Sequence, residues 1–543
     1  MGLRERRPGL GELLGDEDGG DGAVMKRIRL GVFEMMNPSN GMPTWTDPRG
    51  RGVDWDDLDH WVTLARELDA AGFDFLFFAD TYGYATLDGR MPEEVAAHGI
   101  QFPALDPMLA IAALARETES LGFVVTSPTT VERPYATARR FATLDRLTGG
   151  RIGWNIVTGS SQATTDELFG VTEQLTHDER YDAADAFLDT CLRYWEHSWD
   201  DDAEVRDRAS GVYADPAKLR PVEVEGRFQR SRGIFAVPPT PQRTPVLFQA
   251  GTSDRGRAYA ARNAEAVFIQ GQTIASAAAH VQDIREQAVK NGRAADDVAV
   301  VTGMTVTVAP TSEEARMLRA EYEALLGLDD AAVMFAGITG LDLTGLDPEM
   351  RVADLKTDLG QTLVQRYARQ DPDMRVGQIL DQFRTKAIRG FQVTGSPVEV
   401  ADEIERIVDG SGIDGIMLEP TFGGLDAYRA FIELVLPILV DRGRAGGPDP
   451  RVRSLSLSKG LDASTGSATG PRNGLDASTG SATGPRNGLD ASTGSATGPR
   501  STAAAPLTLR ERFTGAPRLA PTHRAHGLSA RAADDHEMGA TEK

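Results

Sequence analysis

Residues 176–187, THDERYDAADAF, combine a helix start with two side chains that can contact an anion. Thr176 and Glu179 have the spacing of a capping box, which predicts a helix beginning at His177. His177 and Tyr181 then lie one turn apart on the same face. Because a helix N-terminus presents free N–H groups and a positive dipole, this end of the helix suits a phosphate group. The alternative is an exposed first-turn histidine beside a core tyrosine.

Residues 251–256, GTSDRG, repeat this arrangement after the next predicted strand. Ser253 is placed to cap a helix, and its hydroxyl together with the first N–H groups can hold phosphate oxygens. Gly251 has no side chain to keep a ligand away from the backbone. A helix cap without a ligand is the common alternative for such a serine. Two phosphate-competent helix starts after consecutive strands are stronger evidence than either alone.

Three further polar residues lie in, or at the ends of, apolar segments that predict buried strands. Asp80 ends the segment FDFLFFAD, Thr126 ends LGFVVT, and Asn155 lies within RIGWNIV. A carboxylate and a hydroxyl at the mouth of a barrel can bind the ring or the hydroxyl groups of a cofactor, or they can satisfy loop N–H groups. A buried asparagine amide needs partners, and a ligand is one of them.

The common motifs of metal, nucleophile and nucleotide sites are absent, namely HExxH, paired CxxC, GxSxG and the P-loop. The histidines before the C-terminal tail do not have the spacing of metal ligands: His60, His98, His177, His197 and His280. No metal site is therefore predicted. The single cysteine, Cys191, cannot form an intrachain disulfide, and we interpret it as a buried thiol rather than a nucleophile. The chemistry must come largely from a bound cofactor.

Strand and helix patterns alternate along the chain, which indicates an α/β protein built from βαβ units. Eight strands are predicted, at 28–35, 73–79, 121–126, 151–157, 245–250, 266–270, 298–309 and 413–420. This series predicts a (β/α)8 TIM barrel, with its chemistry at the carboxyl ends of the strands.

Two connections are too long for simple loops. The stretch after strand four, up to residue 244, is expected to be an insertion containing a hairpin. The mainly helical stretch 310–390 after strand seven can fold over a site as a lid.

Composition separates both ends of the chain from this domain. The predicted barrel domain covers 27–444, after an extension over 1–26 that we expect to be disordered. The segment 445–543 contains GLDASTGSATGPRN with a 14-residue period from Gly460, and we predict that this tail is disordered as well. The net charge of -22 argues against nucleic-acid binding. The chain has neither a membrane span nor a signal peptide, so a cytoplasmic enzyme is expected.

From about residue 27 to 444, the chain resembles the flavin-dependent monooxygenases of the bacterial luciferase-like superfamily, in the branch of nitrilotriacetate monooxygenase component A, EDTA monooxygenase and dibenzothiophene-sulfone monooxygenase. No single motif is specific, but their ordered series is: FDFLFFAD, VTSPTT, ARRFATLDRLTGGRIGWNIVTGS, HDERYDAADAF, ADPAKLRPVEVEGRF, QAGTSDRGRAYAARNAEAVF and GSPVEVADEIERIVDGSGIDG. Two residues depart from the family pattern: Pro128 replaces a serine or threonine, and Thr252 replaces the first serine of GSS. Neither departure removes a proposed ligand.

The resemblance implies FMN as the cofactor, used as FMNH2. The residues at the positions where the family holds the flavin are Asp80, Thr126, His177, Tyr181 and Ser253, with Asn155 as a weaker candidate. It further implies that a separate NAD(P)H-dependent flavin reductase supplies FMNH2 and that one oxygen atom of O2 enters a small organic substrate. The chain is expected to form a homo-oligomer, either a dimer or a tetramer. No catalytic residue is assigned, because no fixed nucleophile is needed.

Two alternatives to this function stay open at the level of sequence. One is a dehydrogenase of the same fold that uses a deazaflavin coenzyme, and the other is a flavin-binding protein without turnover. The substrate is not identified. Four residues on predicted loops can form an apolar wall or can instead pack against the helical insertion: Met36, Trp45, Tyr82 and Tyr84. These loops lack a dense cluster of arginine and lysine, which disfavours a polyanionic chelate.

Overall fold

Eight parallel strands close into a barrel in the structure, which is a computed structural model. It describes residues 26–39, 41–50, 52, 54–87, 89–159, 167–171, 175–251, 253–357, 361–386, 389–419, 422–447, 507–526 and 528. The described strands are β1 (Arg29–Glu34), β2 (Phe75–Phe78), β3 (Gly122–Pro128), β4 (Ile152–Val157), β5 (Glu204–Asp207), β6 (Val212–Ala214), β7 (Val222–Glu225), β8 (Arg230–Gly233), β9 (Val246–Gln249), β10 (Ala266–Ile269), β11 (Ala299–Val308), β12 (Phe391–Gly395) and β13 (Gly415–Leu418). Around the barrel the order is β1-β2-β3-β4-β9-β10-β11-β13, and β13 pairs with β1. The predicted TIM barrel is confirmed.

Helices follow the barrel strands, as the alternating pattern predicts. They are α1 (Leu58–Ala71), α2 (Glu93–Ala97), α3 (Ile111–Arg116), α4 (Pro134–Thr148), α5 (His177–Glu196), α6 (Asp254–Asn263), α7 (Ile274–Lys290), α8 (Ser312–Ala324), α9 (Leu328–Thr339), α10 (Gln361–Gln370), α11 (Val376–Lys386), α12 (Pro397–Ser411), α13 (Gly424–Ala430), α14 (Leu436–Asp441) and α15 (Leu509–Thr514). Helix α1 ends at Gly72, whose φ of 85° is a left-handed conformation that glycine adopts without strain. Helix α5 begins with the predicted capping box, in which Thr176 and Glu179 form both reciprocal bonds.

Aromatic side chains fill the middle of the barrel. Alternate strand residues point inward, and Phe33, Phe77, Phe248 and Phe268 form one packed cluster there. The rings of Phe33 and Phe77 stack at 5.5 Å between centroids, and those of Phe77 and Phe248 meet at 6.1 Å. This layer makes the barrel interior solid, so a ligand at the carboxyl ends of the strands would lie on an apolar floor.

Both long insertions have the expected character. In the first, β5 pairs with β6 and β7 with β8 as two antiparallel hairpins. In the second, α8 to α11 share a hydrophobic cluster of their own, which includes Tyr322, Phe335 and Phe383 together with Met42 and Ile100 from the loops after β1 and β2. The helical insertion therefore packs onto loops at the carboxyl ends of the strands, which is the position that the predicted lid requires.

A ninth strand extends the sheet beyond the barrel. Strand β11 is ten residues long, and only its first half pairs with β10 and β13. Its second half, from Met304 to Val308, pairs with β12. Strand β12 is not predicted from sequence, because five residues at the end of a helical insertion carry little periodic signal.

Residues 507–526 require a correction to the predicted disordered tail over 445–543. They contain α15 and pack against the N-terminal end of the barrel, where Leu509 and Arg510 have no exposed surface. The segment LTLRERF is only seven residues long and follows low-complexity repeats, so its pattern is too short to reveal the packing. Residues 1–25, 448–506 and 529–543 lie outside the described residues.

Candidate functional site

Small and polar residues replace the aromatic layer at the carboxyl ends of the barrel strands. Thr126 on β3 is in register with Asn155 on β4, directly after the apolar pair of Val125 and Trp154. Gln270 and Glu419 directly follow β10 and β13. Gly303 on β11 faces Glu419 so closely that a β-carbon there would overlap the carboxylate. The top of the barrel is thus lined by polar side chains above the phenylalanine layer.

Asn155 contributes an unmatched acceptor to this space. Its Nδ2 donates to Thr126 Oγ1 at 2.9 Å, so the two predicted residues do lie together. Asn155 is 3% exposed, and its Oδ1 has no hydrogen-bond partner among the described residues. Because a buried acceptor without a donor is costly, the site is suited to a ligand that brings an N–H group. The isoalloxazine ring of a flavin has such a group.

The opposite side of the barrel contains a buried ion pair that the sequence pattern does not indicate. Arg389 Nη1 lies 3.4 Å from Glu419 Oε1, and both side chains are at most 3% exposed. Gln270 Nε2 donates to the same Glu419 oxygen at 2.9 Å, and the Arg389 guanidinium lies 5.3 Å from the centre of the Phe33 ring. Glu419 follows a buried apolar strand as Asp80 does, and this signal could have revealed it.

The helix starts of α5 and α6 bring Tyr181 and Ser253 together. Ser253 caps α6, and its Oγ accepts the N–H of Gly256 at 3.1 Å. A β-carbon at Gly256 would lie 2.7 Å from the Tyr181 hydroxyl and 3.0 Å from Ser253 Oγ. Glycine at this position therefore lets two hydroxyl groups approach the first turn of the same helix. Hydroxyls and free helix N–H groups together form a cradle suited to a phosphate.

His177 lies beside this cradle at the first turn of α5. Its ring meets the Tyr181 ring edge-on, with 5.3 Å between centroids. Its Nδ1 lies 2.9 Å from Asp178 Oδ1, and half of the side chain is exposed. Nε2 is the ring atom left to face a ligand, and contact between His177 and a phosphate remains a prediction.

Asp80 lies just beyond β2 in a carboxylate-rich environment. Burial raises the pKa of Asp80 to about 7, the charge of Asp106 adds to this effect, and the N–H of Thr81 opposes it. Nearby, Tyr82 donates to Glu132 Oε1 at 3.0 Å, and burial followed by the Glu132 charge raises the pKa of Tyr82. A carboxyl group that titrates near neutral pH at a barrel mouth is typical of a functional site.

Aromatic pairs surround the mouth. Tyr82 stacks on Phe169 at 5.6 Å, and Tyr84 meets Phe102 edge-on at 5.8 Å. Trp45 is 37% exposed. Of the four residues predicted to form an apolar wall, Met36 is buried in the main hydrophobic cluster and does not belong to one. A wall formed by the other three remains a prediction.

Comparison with known proteins identifies the family. The profile described as luciferase-like monooxygenase matches residues 30–415. The chain belongs to the luciferase-like monooxygenase family. It is 36% identical over 425 residues to the dimethyl-sulfide monooxygenase of Hyphomicrobium sulfonivorans. The aligned region covers 78% of this chain and 88% of the relative. It is 36% identical over 426 residues to the long-chain alkane monooxygenase of Geobacillus thermodenitrificans strain NG80-2, covering 77% and 91%.

A solved structure agrees with these relatives. The crystal structure of a riboflavin lyase with modified FMN and its substrate riboflavin matches with a TM-score of 0.78 at 36% identity, covering 93% of this chain and 99% of that one. The predicted resemblance and the predicted enzyme class, a flavin-dependent monooxygenase, are confirmed. Among the described helices of this luciferase-like monooxygenase, none is long and apolar enough to cross a membrane.

Proposed function

We propose that the enzyme is a two-component monooxygenase that uses FMNH2 to insert one oxygen atom of O2 into a small organic substrate. In the balanced reaction, substrate, O2 and FMNH2 give the oxygenated substrate, FMN and water. A separate NAD(P)H-dependent flavin reductase supplies FMNH2. The observation that carries this proposal is the convergence of the Tyr181 and Ser253 hydroxyls on the first turn of α6, at the mouth of a barrel of this family.

The residues at the site match the two ends of FMN. Ser253, Tyr181 and His177 would hold the phosphate, while Thr126 and Asn155 would contact the ring. The two groups are neighbours, because Asn155 is in register with Phe248 on β9 and Ser253 follows that strand. When bound, the flavin supplies the two electrons that activate O2. The protein would orient the ring on the apolar floor and exclude water.

Asp80 would complete the ring end of this site. A protonated carboxyl group can donate a hydrogen bond to a ring oxygen or nitrogen, and an ionised one can accept from a ring N–H group. With its pKa raised to about 7, Asp80 can present either form near neutral pH. We propose that it contacts the flavin and that its protonation state follows the charge of the reduced ring.

The substrate is proposed to be uncharged and largely apolar. Aromatic side chains flank the mouth, and the guanidinium groups of Arg140 and Arg389 each contact a carboxylate, Glu132 and Glu419 respectively. Cations that are already neutralised in this way do not offer a binding site for a polyanion. Organic sulfides and hydrocarbons fit this environment better than aminopolycarboxylates do.

Titration calorimetry with FMN and with riboflavin tests the phosphate cradle. We expect Ser253→Ala and Tyr181→Phe to weaken FMN binding about 10- to 100-fold, the range for one hydrogen bond to a charged group. Riboflavin has no phosphate, so its affinity should change little. Thr311→Ala is the matched control, because Thr311 caps α8 in the lid. Equal losses for FMN and riboflavin, or unchanged FMN binding in both variants, would overturn the assigned contacts.

Anaerobic titration with FMNH2, followed by addition of O2, separates the candidate functions. The proposal predicts tight binding of FMNH2 and substrate-dependent oxygen consumption. A flavin-binding protein without turnover would bind FMNH2 but would not consume oxygen beyond the uncatalysed rate. A dehydrogenase would bind a deazaflavin coenzyme instead.

A substrate panel then tests the proposed class. It should contain dimethyl sulfide, a long-chain alkane, dibenzothiophene sulfone and nitrilotriacetate. Riboflavin belongs in the panel because the structurally similar lyase acts on it. Turnover of nitrilotriacetate alone would contradict the apolar assignment without affecting the flavin assignment.

A further inference from the structure

The N-terminal end of the barrel is filled by a segment distant in sequence. A β-carbon at Gly122 on β3 would overlap the Leu509 side chain, so this glycine leaves the space that Leu509 occupies. Phe513 packs against Phe75 and Phe248 with 5.4 and 5.2 Å between ring centroids. Leu509 is fully buried, and Phe513 is 4% exposed. Two side chains of α15 thus form the lowest layer of the barrel interior.

A buried ion pair fixes the same segment. Arg510 Nε lies 2.6 Å from Glu265 Oε1, and its Nη2 lies 2.8 Å from Glu265 Oε2. Arg510 also donates to the carbonyl oxygens of Gln242 and Pro245 at 3.0 and 3.1 Å. Burial opposes the ionised form of Glu265, but the Arg510 guanidinium outweighs it and lowers the pKa of Glu265. Without Arg510, the Glu265 charge would be buried without its compensating cation.

The contacts continue to the end of the described segment. His523 Nε2 lies 2.9 Å from the carbonyl oxygen of Asn263, and Arg524 Nε donates to Asn263 Oδ1 at 2.6 Å. Arg29 at the start of β1 donates to the carbonyl oxygen of Phe513 at 2.6 Å. The contacts of residues 507–526 described above are all made with residues before 447. We call this surface at the N-terminal end of the barrel the seat of the segment.

Both ends of the intervening stretch lie at this end of the barrel. The carbonyl oxygen of Gly447 packs against Gly72, which precedes β2. The N–H of Leu509 donates to the carbonyl of Gly150, which precedes β4, at 2.8 Å. About 15 extended residues reach about 50 Å, which is more than the width of a barrel. Residues 448–506 are therefore far longer than the connection needs.

We propose that the N-terminal end of the barrel is a docking site for residues 507–526 of the same chain. The segment binds this seat through its own contacts and does not need the covalent link to stay there. The 14-residue repeats from Gly460 are a dispensable spacer.

Cleavage of the spacer in the full chain tests the docking. A specific protease site replaces residues 474–480, and the cut protein is analysed by size exclusion and intact mass. We expect the C-terminal piece to co-elute with the barrel, with Tm within about 2 °C of the uncut protein. In a variant with Arg510→Ala and Phe513→Ala, the piece should separate after cutting. Leu507→Ala is the control, because Leu507 is 55% exposed.

Loss of the piece from the otherwise unaltered cut protein would overturn the proposal. So would its retention in the Arg510→Ala, Phe513→Ala variant. If that variant does not fold before cutting, a synthetic peptide of residues 505–528 provides the second measurement. Added in excess to the cut protein, the labelled peptide should replace the bound piece, whereas the same peptide with Arg510→Ala should not. Failure of the unaltered peptide to exchange would also contradict the docking.

Deletion of residues 460–501 tests the spacer. We expect an unchanged Tm and an unchanged oligomeric state, because the shortened connection still spans the distance. A loss of more than about 5 °C in Tm would show that the repeats contribute to the fold. A shift to a larger oligomer would show that the shortened connection no longer reaches the barrel of its own chain, so that the segment docks on a second copy. Either result would overturn the proposal as stated.

Discussion

Among single residues, Asp80 is expected to make the stability of the folded protein depend on pH. Its folded-state pKa of about 7 lies above the ordinary value of 3.8, so ionisation of Asp80 destabilises the folded protein. This loss of folding free energy is absent below about pH 4, grows as the pH rises, and is complete above about pH 7. The full linkage corresponds to about 4 kcal/mol at 1.36 kcal/mol per pKa unit. Residual exposure reduces the expected effect to about 1–2 kcal/mol.

We therefore predict that Asp80→Asn stabilises the cofactor-free enzyme at pH 8 and leaves its stability unchanged at pH 4. The same variant should bind FMN more weakly, since a binding residue is often retained at the expense of stability. Urea unfolding at both pH values and flavin titration measure the two effects. The exposed Asp54→Asn serves as the control. Equal stabilisation at both pH values would contradict burial as the cause.

Sequence could indicate single site residues but not their partners. Thr126 and Asn155 were each identified from the end or interior of an apolar strand, and their mutual hydrogen bond follows from the register of β3 and β4. Arg389 could not be found in this way. It lies at the end of a helical insertion, and only the closed fold brings it to Glu419.

At the level of elements, the helical insertion should control access of water to the site. The Tyr322 ring of α8 stacks on Phe422 with 4.6 Å between centroids and an angle of 4°, which joins the lid to the loop after β13. Arg49, from the loop after β1, donates to Glu321 at 3.0 Å and lies 4.7 Å over the Tyr322 ring. These contacts fix the lid to two loops at the barrel mouth.

We predict that Phe422→Ala loosens the lid and raises the fraction of consumed O2 that is released as hydrogen peroxide several-fold. Water would then enter the candidate site before the substrate is oxygenated. KM should rise as well, while Tm falls by only a few degrees because the barrel core is separate. Peroxide yield per O2 consumed is the measurement, with Met317→Ala, on an exposed part of α8, as the control. An unchanged peroxide yield would argue against a lid.

Periodic elements were predictable, and elements held only by tertiary contacts were not. The eight barrel strands and helix α5 have strong apolar patterns and clear start signals, and they were predicted within a few residues. Strand β12 and helix α15 are short, and their stability comes from pairing with β11 and from packing inside the barrel. Long-range packing of this kind leaves little trace in local sequence.

On the scale of the whole molecule, the described residues form three hydrophobic clusters. Two belong to the barrel, one inside it and one between its strands and the outer helices, and the third belongs mainly to the insertion. We predict that backbone amides of residues 312–386 exchange with deuterium before those of the barrel strands, because regions with smaller cores open at lower free energy. FMN binding should slow deuterium exchange in both the insertion and the barrel strands. Simultaneous exchange of insertion and barrel in a single step would contradict two separate units.

The residues that flank the stretch 448–506 lie at the end of the barrel opposite the candidate site. A domain placed there would hang below the barrel and leave the mouth open, as at other surface connections that accept insertions. A fused flavin reductase would release FMNH2 close to its acceptor without covering the entrance. The same position would allow the enzyme to be anchored to a solid support with its active face directed to solution.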